Sequence, residues 1–116
     1  MNSENYLAEM VNSIADDLEK VARNEFYEED SEERQNYSSD VDAYFSDAYD
    51  IEIRSGIHGE YRSVRVMLAG GGPSVYYDSK TACVIGYWWS TQFDSSVSNY
   101  ANSAIDQYFE EIWNCR

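Results

Sequence analysis

Residues 61–88, YRSVRVMLAGGGPSVYYDSKTACVIGYW, decide how this chain folds. Three runs in this stretch have strand character: Tyr61 to Leu68 alternates over its first half, Ser74 to Tyr77 is short, and Ala82 to Trp88 is continuously apolar. The links between them, Gly70-Gly-Gly-Pro73 and Asp78-Ser-Lys80, are rich in turn residues and short enough for hairpins. Successive runs therefore lie side by side in an antiparallel meander. Upstream, Asp50 to Arg54 (DIEIR) alternates in the same way and joins the meander through Gly56-Ile-His-Gly59.

Outside the glycine-punctuated part the hydrophobic period changes. Leu7, Met10, Val11, Ile14, Leu18, Val21 and Ala22 recur at helical intervals, which predicts an amphipathic helix from about Ser3 to Phe26, with Ser3 as N-cap. Its polar face carries Glu4, Glu9, Asp16, Asp17 and Glu19 against Lys20 and Arg23. At the other end, Val97, Ala101, Ile105, Tyr108, Phe109 and Ile112 form one stripe of a helix from Ser95 or Ser96 to Asn114. Between the first helix and the sheet, EEDSEER (Glu28 to Arg34) reads as a mobile, solvated loop. NYSSD then offers turn residues and an N-cap for a short helix around Val41 to Ala48. Tyr44, Phe45 and Ala48 dock that helix on the core, and Asp40, Asp42 and Asp47 project outward. The expected fold is one α+β domain over residues 1–116, an antiparallel sheet of three to four strands flanked by N- and C-terminal helices in the order α-α-β-β-β-β-α.

Charge is the main compositional anomaly. The 116 residues hold 22 Asp and Glu against 8 Lys and Arg, a formal net charge of −14, while 43% hydrophobic and 16% aromatic content argues for a folded chain rather than an acidic tail. Self-repulsion of this size opposes compaction. Two readings stand: the acids serve solubility, or they form a working surface. Nucleic acid and anionic membranes both require clustered Lys and Arg, which are few and scattered here. No apolar run approaches the ~20 residues of a membrane span and the N-terminus lacks signal-peptide features, so a cytoplasmic location is expected. Cys83 and Cys115 are expected to be reduced thiols, with Cys83 buried in its strand.

Chemistry has little foothold. The single histidine, His58, lies between glycines at a hairpin tip, where nothing would hold a general base. Gly70-Gly71-Gly72 lacks the Gly-Lys-Ser/Thr and the helix of a phosphate loop, and Asp40-Val-Asp42 lacks the glycine and closing glutamate of a calcium loop. No nucleophile elbow is present. No cofactor or metal site is expected, and an acidic enzyme or metal buffer is the third-ranked reading. Aromatics crowd the sheet, and of the successive Trp88 and Trp89 one must face the core and the other lie exposed or under a helix. An exposed aromatic there serves either cross-strand packing or a binding anchor.

Three blocks, Gly71-Gly-Pro-Ser-Val-Tyr-Tyr-Asp78, Val84-Ile-Gly-Tyr-Trp-Trp89 and Tyr108-Phe-Glu-Glu-Ile-Trp-Asn-Cys115, resemble small acidic proteins of phages and mobile elements of Gram-positive gut bacteria. In charge and size the chain is similar to anti-CRISPR and antirestriction inhibitors. That resemblance implies a DNA-mimicking inhibitor acting in the host bacterial cytoplasm on a basic DNA-binding protein, a Cas or restriction nuclease. The physical rationale is that duplex DNA displays one charge per ~1.7 Å of axis, which a rigid array of carboxylates imitates. Partner-binding candidates are Asp16, Asp17, Glu28, Glu29, Asp30, Glu32, Glu33, Asp40, Asp42 and Asp47, with Trp89 as the aromatic alternative. The competing reading is an antitoxin-like or regulatory binding module that uses exposed sheet aromatics.

Overall fold

The computed structural model describes residues 3–116, with side chains from residue 5 onward, so the cap expected at Ser3 and the charge expected at Glu4 lie outside the described side chains. Among the described residues the order is α1 (Ser3–Ala22), α2 (Glu32–Asn36), α3 (Asp40–Phe45), β1 (Asp50–Ser55), β2 (Tyr61–Ala69), β3 (Ser74–Asp78), β4 (Cys83–Trp88), β5 (Thr91–Ser96) and α4 (Asn99–Asn114). The fold is α+β, with helices at both ends and an antiparallel meander β1-β2-β3-β4-β5.

The sheet has five strands rather than three or four. The extra strand, β5, reads TQFDSS, where Phe93 is the one large apolar side chain, so its alternation is nearly silent in the sequence. Its pairing with β4, Gly86 opposite Phe93 and Val84 opposite Ser95, and the cover supplied by α1 make it a strand. Sequence hydrophobicity detects burial, and an edge strand with little to bury escapes detection.

Alternation along the strands separates two faces. Val64, Val66, Val75, Tyr77 and Val84 point to one side and are fully buried there with Leu7, Val11, Leu18 and Val21 of α1 and Ala101, Ile105 and Phe109 of α4. Both long helices therefore cover the same face. α1 lies along β4 and β5. It sits close enough that a Cβ on Gly86 would come within 2.4 Å of Val11 Cγ2 and 2.8 Å of Leu7 Cδ1.

α4 crosses the strand ends. Its residues meet, in order, the Tyr77 hydroxyl (at Asn102), the Tyr61 hydroxyl (at Asp106) and the Gly59 carbonyl, to which Trp113 Nε1 donates at 2.7 Å. Tyr61 reaches this side because β2 has a bulge: Arg54 pairs with Ser63 but Ser55 pairs with Tyr61, so Arg62 is the extra residue and the alternation inverts. Glu19 of α1 ties the two helices together, accepting from both the backbone N–H and the hydroxyl of Ser98, the α4 N-cap, at 2.6 Å each. Burial pushes its carboxyl up, but these bonds and Arg23 outweigh that and hold it below its ordinary value.

Several boundaries shift from the sequence expectation. α1 stops at Ala22 rather than Phe26 because Asn24 takes a left-handed φ of 61° and closes a Schellman motif, Asn24 N–H to the Val21 carbonyl and Glu25 N–H to the Lys20 carbonyl. Glu28 to Arg34 is not simply a loop, since Ser31 caps α2 by accepting from the Arg34 N–H at 3.3 Å. The next helix is α3, Asp40–Phe45, capped by Ser39, and α4 starts at Asn99. Cys83 is not buried: it lies half-exposed on the face away from the helices, opposite Asp78 and Ser96. Ile112, expected on the buried stripe of α4, is exposed.

Candidate functional site

One carboxylate in the acidic first half of the chain is not on the surface. Asp40 is 1% exposed, contrary to the outward projection expected for it. Its Oδ2 accepts from the N–H groups of Phe26 (2.8 Å) and Tyr27 (3.2 Å) and from Arg34 Nη2 (3.3 Å). Arg34 Nε lies 3.3 Å from Oδ1 as an ion pair but is not aligned as a hydrogen bond. Arg34 also donates to the Asn24 carbonyl, and Asn24 Oδ1 accepts from the Asp40 N–H at 2.9 Å. A helix C-cap, a helix N-terminus and the guanidinium of α2 are thus locked together, and the Glu28 to Glu33 run is carried on a pinned turn.

The remaining acids fall into distinct environments. Asp16, Glu28, Glu29, Asp30, Glu32 and Asp47 are exposed, while Asp17 and Glu33 are half-buried. Burial raises the Asp17 carboxyl above its ordinary value; Lys20 opposes this and Asp16 adds to it. Asp42 is half-buried and engaged: Oδ1 accepts from the Tyr108 hydroxyl at 2.6 Å and Oδ2 from Ser38 N–H and Oγ at 3.2 Å each. The Tyr108 bond, more than the Ser38 contacts, holds its carboxyl below the usual range. Asp42 therefore ties α3 to α4 rather than facing a partner.

Four acids from separate segments of the chain act on one aromatic surface. Burial and then the charges of Glu33, Asp47 and Asp40 raise the Tyr27 phenol, and burial and then Asp17 raise that of Tyr44. Phe26 packs edge-on to both rings, at 4.9 Å from Tyr27 and 5.5 Å from Tyr44. A groove of about 230 Å³ opens here, lined by Phe26, Tyr27, Tyr44, Asp47, Ala48 and Leu68. Two cations in the neighbourhood are engaged: Arg34 on Asp40, and Arg23 on Glu19 at 3.8 Å and over the Tyr100 ring at 5.7 Å. Sequence reading missed these aromatics. The available signal was their position, with Phe26-Tyr27 directly preceding the acidic run and Tyr44 between Asp42 and Asp47.

Trp89 belongs to a different region. Trp88 packs on Tyr6 at the start of α1, with ring centroids 5.2 Å apart, whereas Trp89 leaves the strand and is 91% exposed at the tip of the β4–β5 hairpin. The two do not point to opposite faces of one strand as expected, because Trp89 is a turn residue with a left-handed φ of 60°. In a meander the β2–β3 and β4–β5 links share one end, so Trp89 and the Gly70 to Pro73 loop are on the same rim. Asp17 is eleven residues beyond Tyr6 along α1, a rise of ~16 Å. Trp89 is not among the residues that line the acidic groove.

The sheet face opposite the helices is mixed. Arg65 stacks over Tyr76 at 3.8 Å, Tyr76 meets Tyr87 at 6.1 Å, and Arg54 grips Asp78 with two bonds of 2.9 and 2.8 Å. No protein-family model, curated protein or solved structure matches this chain. Among the described residues, no helix is long and apolar enough to cross a membrane, and no three His, Cys, Asp or Glu side chains converge in a way that would hold a metal ion.

Proposed function

We propose that this protein inhibits a host defence nuclease, CRISPR-Cas or restriction, by seating its acidic helical side on the basic surface that the nuclease uses to hold DNA. The observation that carries this reading is the arrangement of charge. Asp16, Glu28, Glu29, Asp30, Glu32 and Asp47 are exposed and Asp17 and Glu33 half-buried, the turn that carries residues 28–33 is pinned at Asn24, Phe26 and Arg34, and the Arg34 guanidinium is consumed internally by Asp40. A rigid display of this kind competes for a phosphate-binding groove without the entropy cost of ordering a disordered tail. Its long-range field also speeds encounter with a basic partner. Asp40 and Asp42 act from within, holding that surface in shape. Such an inhibitor acts without catalysis, in the cytoplasm of the host bacterium.

The test is a DNA-cleavage assay against a Cas nuclease and a restriction enzyme, with the combined Glu28→Gln, Glu29→Gln, Asp30→Asn, Glu32→Gln and Glu33→Gln variant alongside. Inhibition should weaken with rising salt, yield to excess duplex DNA and fall at least tenfold in the neutralised variant. Full inhibition by that variant, or none of either enzyme by the unaltered protein, sinks the proposal.

A second reading rests on Trp89. An indole 91% exposed on a left-handed backbone is a costly feature to retain without use, and tryptophan is enriched in interface hot spots. Under this reading Trp89→Ala abolishes partner binding while the acid-neutralised variant retains it.

A further inference from the structure

We infer that the groove between Phe26, Tyr27 and Tyr44 is a receptor for a single guanidinium group, an arginine side chain of the partner protein. This deepens the proposed function and rests on it for the identity of the partner surface. The groove itself is argued from its own geometry. Its volume of about 230 Å³ falls below the range of about 300–1,000 Å³ typical of small-molecule sites, so it suits one side chain rather than a free ligand.

The lining matches that cation in three ways. Phe26, Tyr27 and Tyr44 all line the opening, with Tyr27 and Tyr44 each edge-on to Phe26, and aromatic rings around an opening attract a cation through their quadrupoles. Asp47 supplies an exposed carboxylate at the rim, able to take a guanidinium through two parallel bonds. Asp17 and Glu33 add negative potential from α1 and α2; after burial, the larger cause, they contribute to the raised phenols of Tyr44 and Tyr27. No Lys or Arg is among the described residues lining the groove. The floor of Ala48 and Leu68 is apolar, which favours weakly hydrated guanidinium over strongly hydrated ammonium.

Larger depressions on the outer side of α4 lack this combination. One of about 490 Å³, lined by Ser103, Asp106, Gln107, Glu110, Glu111 and Asn114, has no aromatic wall.

The test uses the full-length protein and small probes, so it is independent of any nuclease. Nα-acetyl-arginine methylamide is titrated into isotope-labelled protein beside its citrulline and lysine counterparts, and amide shifts are followed by NMR. Saturable shifts at Tyr27, Tyr44, Asp47 and Ala48 are expected with the arginine probe, at least threefold weaker affinity with lysine, and none with neutral citrulline. Asp47→Asn, an exposed change that leaves the core intact, should weaken arginine binding at least threefold. Equal response to citrulline, tighter binding of lysine, or an unaffected Asp47→Asn variant overturns the inference. Inhibition of a nuclease without this binding would leave the functional proposal standing, and binding without inhibition would leave the groove standing.

Discussion

Arg34 reaches across the turn that carries Glu28 to Glu33 and lies against Asp40, Nε 3.3 Å from Oδ1 and Nη2 3.3 Å from Oδ2. The carboxylate expected from the sequence to extend the acidic surface is instead the group on which the acidic turn is folded. Removing it takes away the acceptor for the Phe26 and Tyr27 N–H groups and strands a half-buried guanidinium. Asp40→Ala should therefore cost about 3 kcal/mol in urea unfolding, the range for breaking one side of a buried pair. Asp40→Asn, which keeps an acceptor, should cost less. A view in which each acid of this −14 chain merely repels the others gives the opposite sign, so a raised unfolding midpoint for Asp40→Ala would falsify the structural role.

Arg54 and Asp78 give the chain a pH dependence of known sign. The Arg54 bonds, despite burial and with help from the Lys80 N–H, hold the Asp78 carboxyl below its ordinary 3.8. A folded-state value below the unfolded one contributes stability that is present above pH 3.8 and lost as pH falls through the lower value. Asp17 works the other way. Its carboxyl is raised by burial, so the ionised form costs stability at neutral pH and protonation relieves that cost. Thermal unfolding from pH 7 to pH 2 should show a smaller acid-induced loss in Asp78→Asn than in the unaltered protein, and Asp17→Asn should raise Tm at pH 7.

Trp89 holds a φ of 60°, a conformation that glycine adopts freely and a bulky residue does not. With the indole 91% exposed, replacing it removes almost no packing. Trp89→Gly should thus stabilise the hairpin, by about 1 kcal/mol on the scale of a relieved left-handed residue. The measurement is chemical denaturation of the two proteins side by side. A less stable Trp89→Gly protein would mean that the indole makes contacts worth more than the backbone strain.

Gly86 is the point of closest approach between α1 and the sheet. Its absent Cβ would press on Val11 and Leu7, both fully buried. Gly86→Ala should lower stability by about 1–3 kcal/mol, the usual cost of overpacking. It should also disturb the Tyr6–Trp88 ring pair, visible as a change in tryptophan fluorescence. An unchanged unfolding midpoint would show that α1 is free to lift from β4.

The sequence by itself determined the elements with a strong hydrophobic period. The stripe from Leu7 to Val21, the stripe from Ala101 to Phe109, and the runs of β2, β3 and β4 announce themselves, because each buries a face and burial leaves its mark in the residue order, while the alternating DIEIR of β1 is legible although that strand stays largely exposed. The short links at Gly56, Gly70 and Asp78 likewise fix a meander, since nothing longer is available to cross the sheet. Weak pattern hid β5, whose strand state depends on β4 and α1 rather than on its own side chains. The site divides the same way. Composition revealed an excess of acid in the first fifty residues, but an aspartate reads the same in sequence whether it faces water or a buried arginine. Only the tertiary structure separates Asp40, enclosed by Asn24, Phe26, Tyr27 and Arg34, from the exposed Glu28, Glu29 and Asp47. It also joins Phe26 and Tyr27 to Tyr44 and Leu68, up to 42 positions apart, into one groove. Charge and period are properties of the chain; which charge is spent inside and which remains for a partner depends on packing between distant segments.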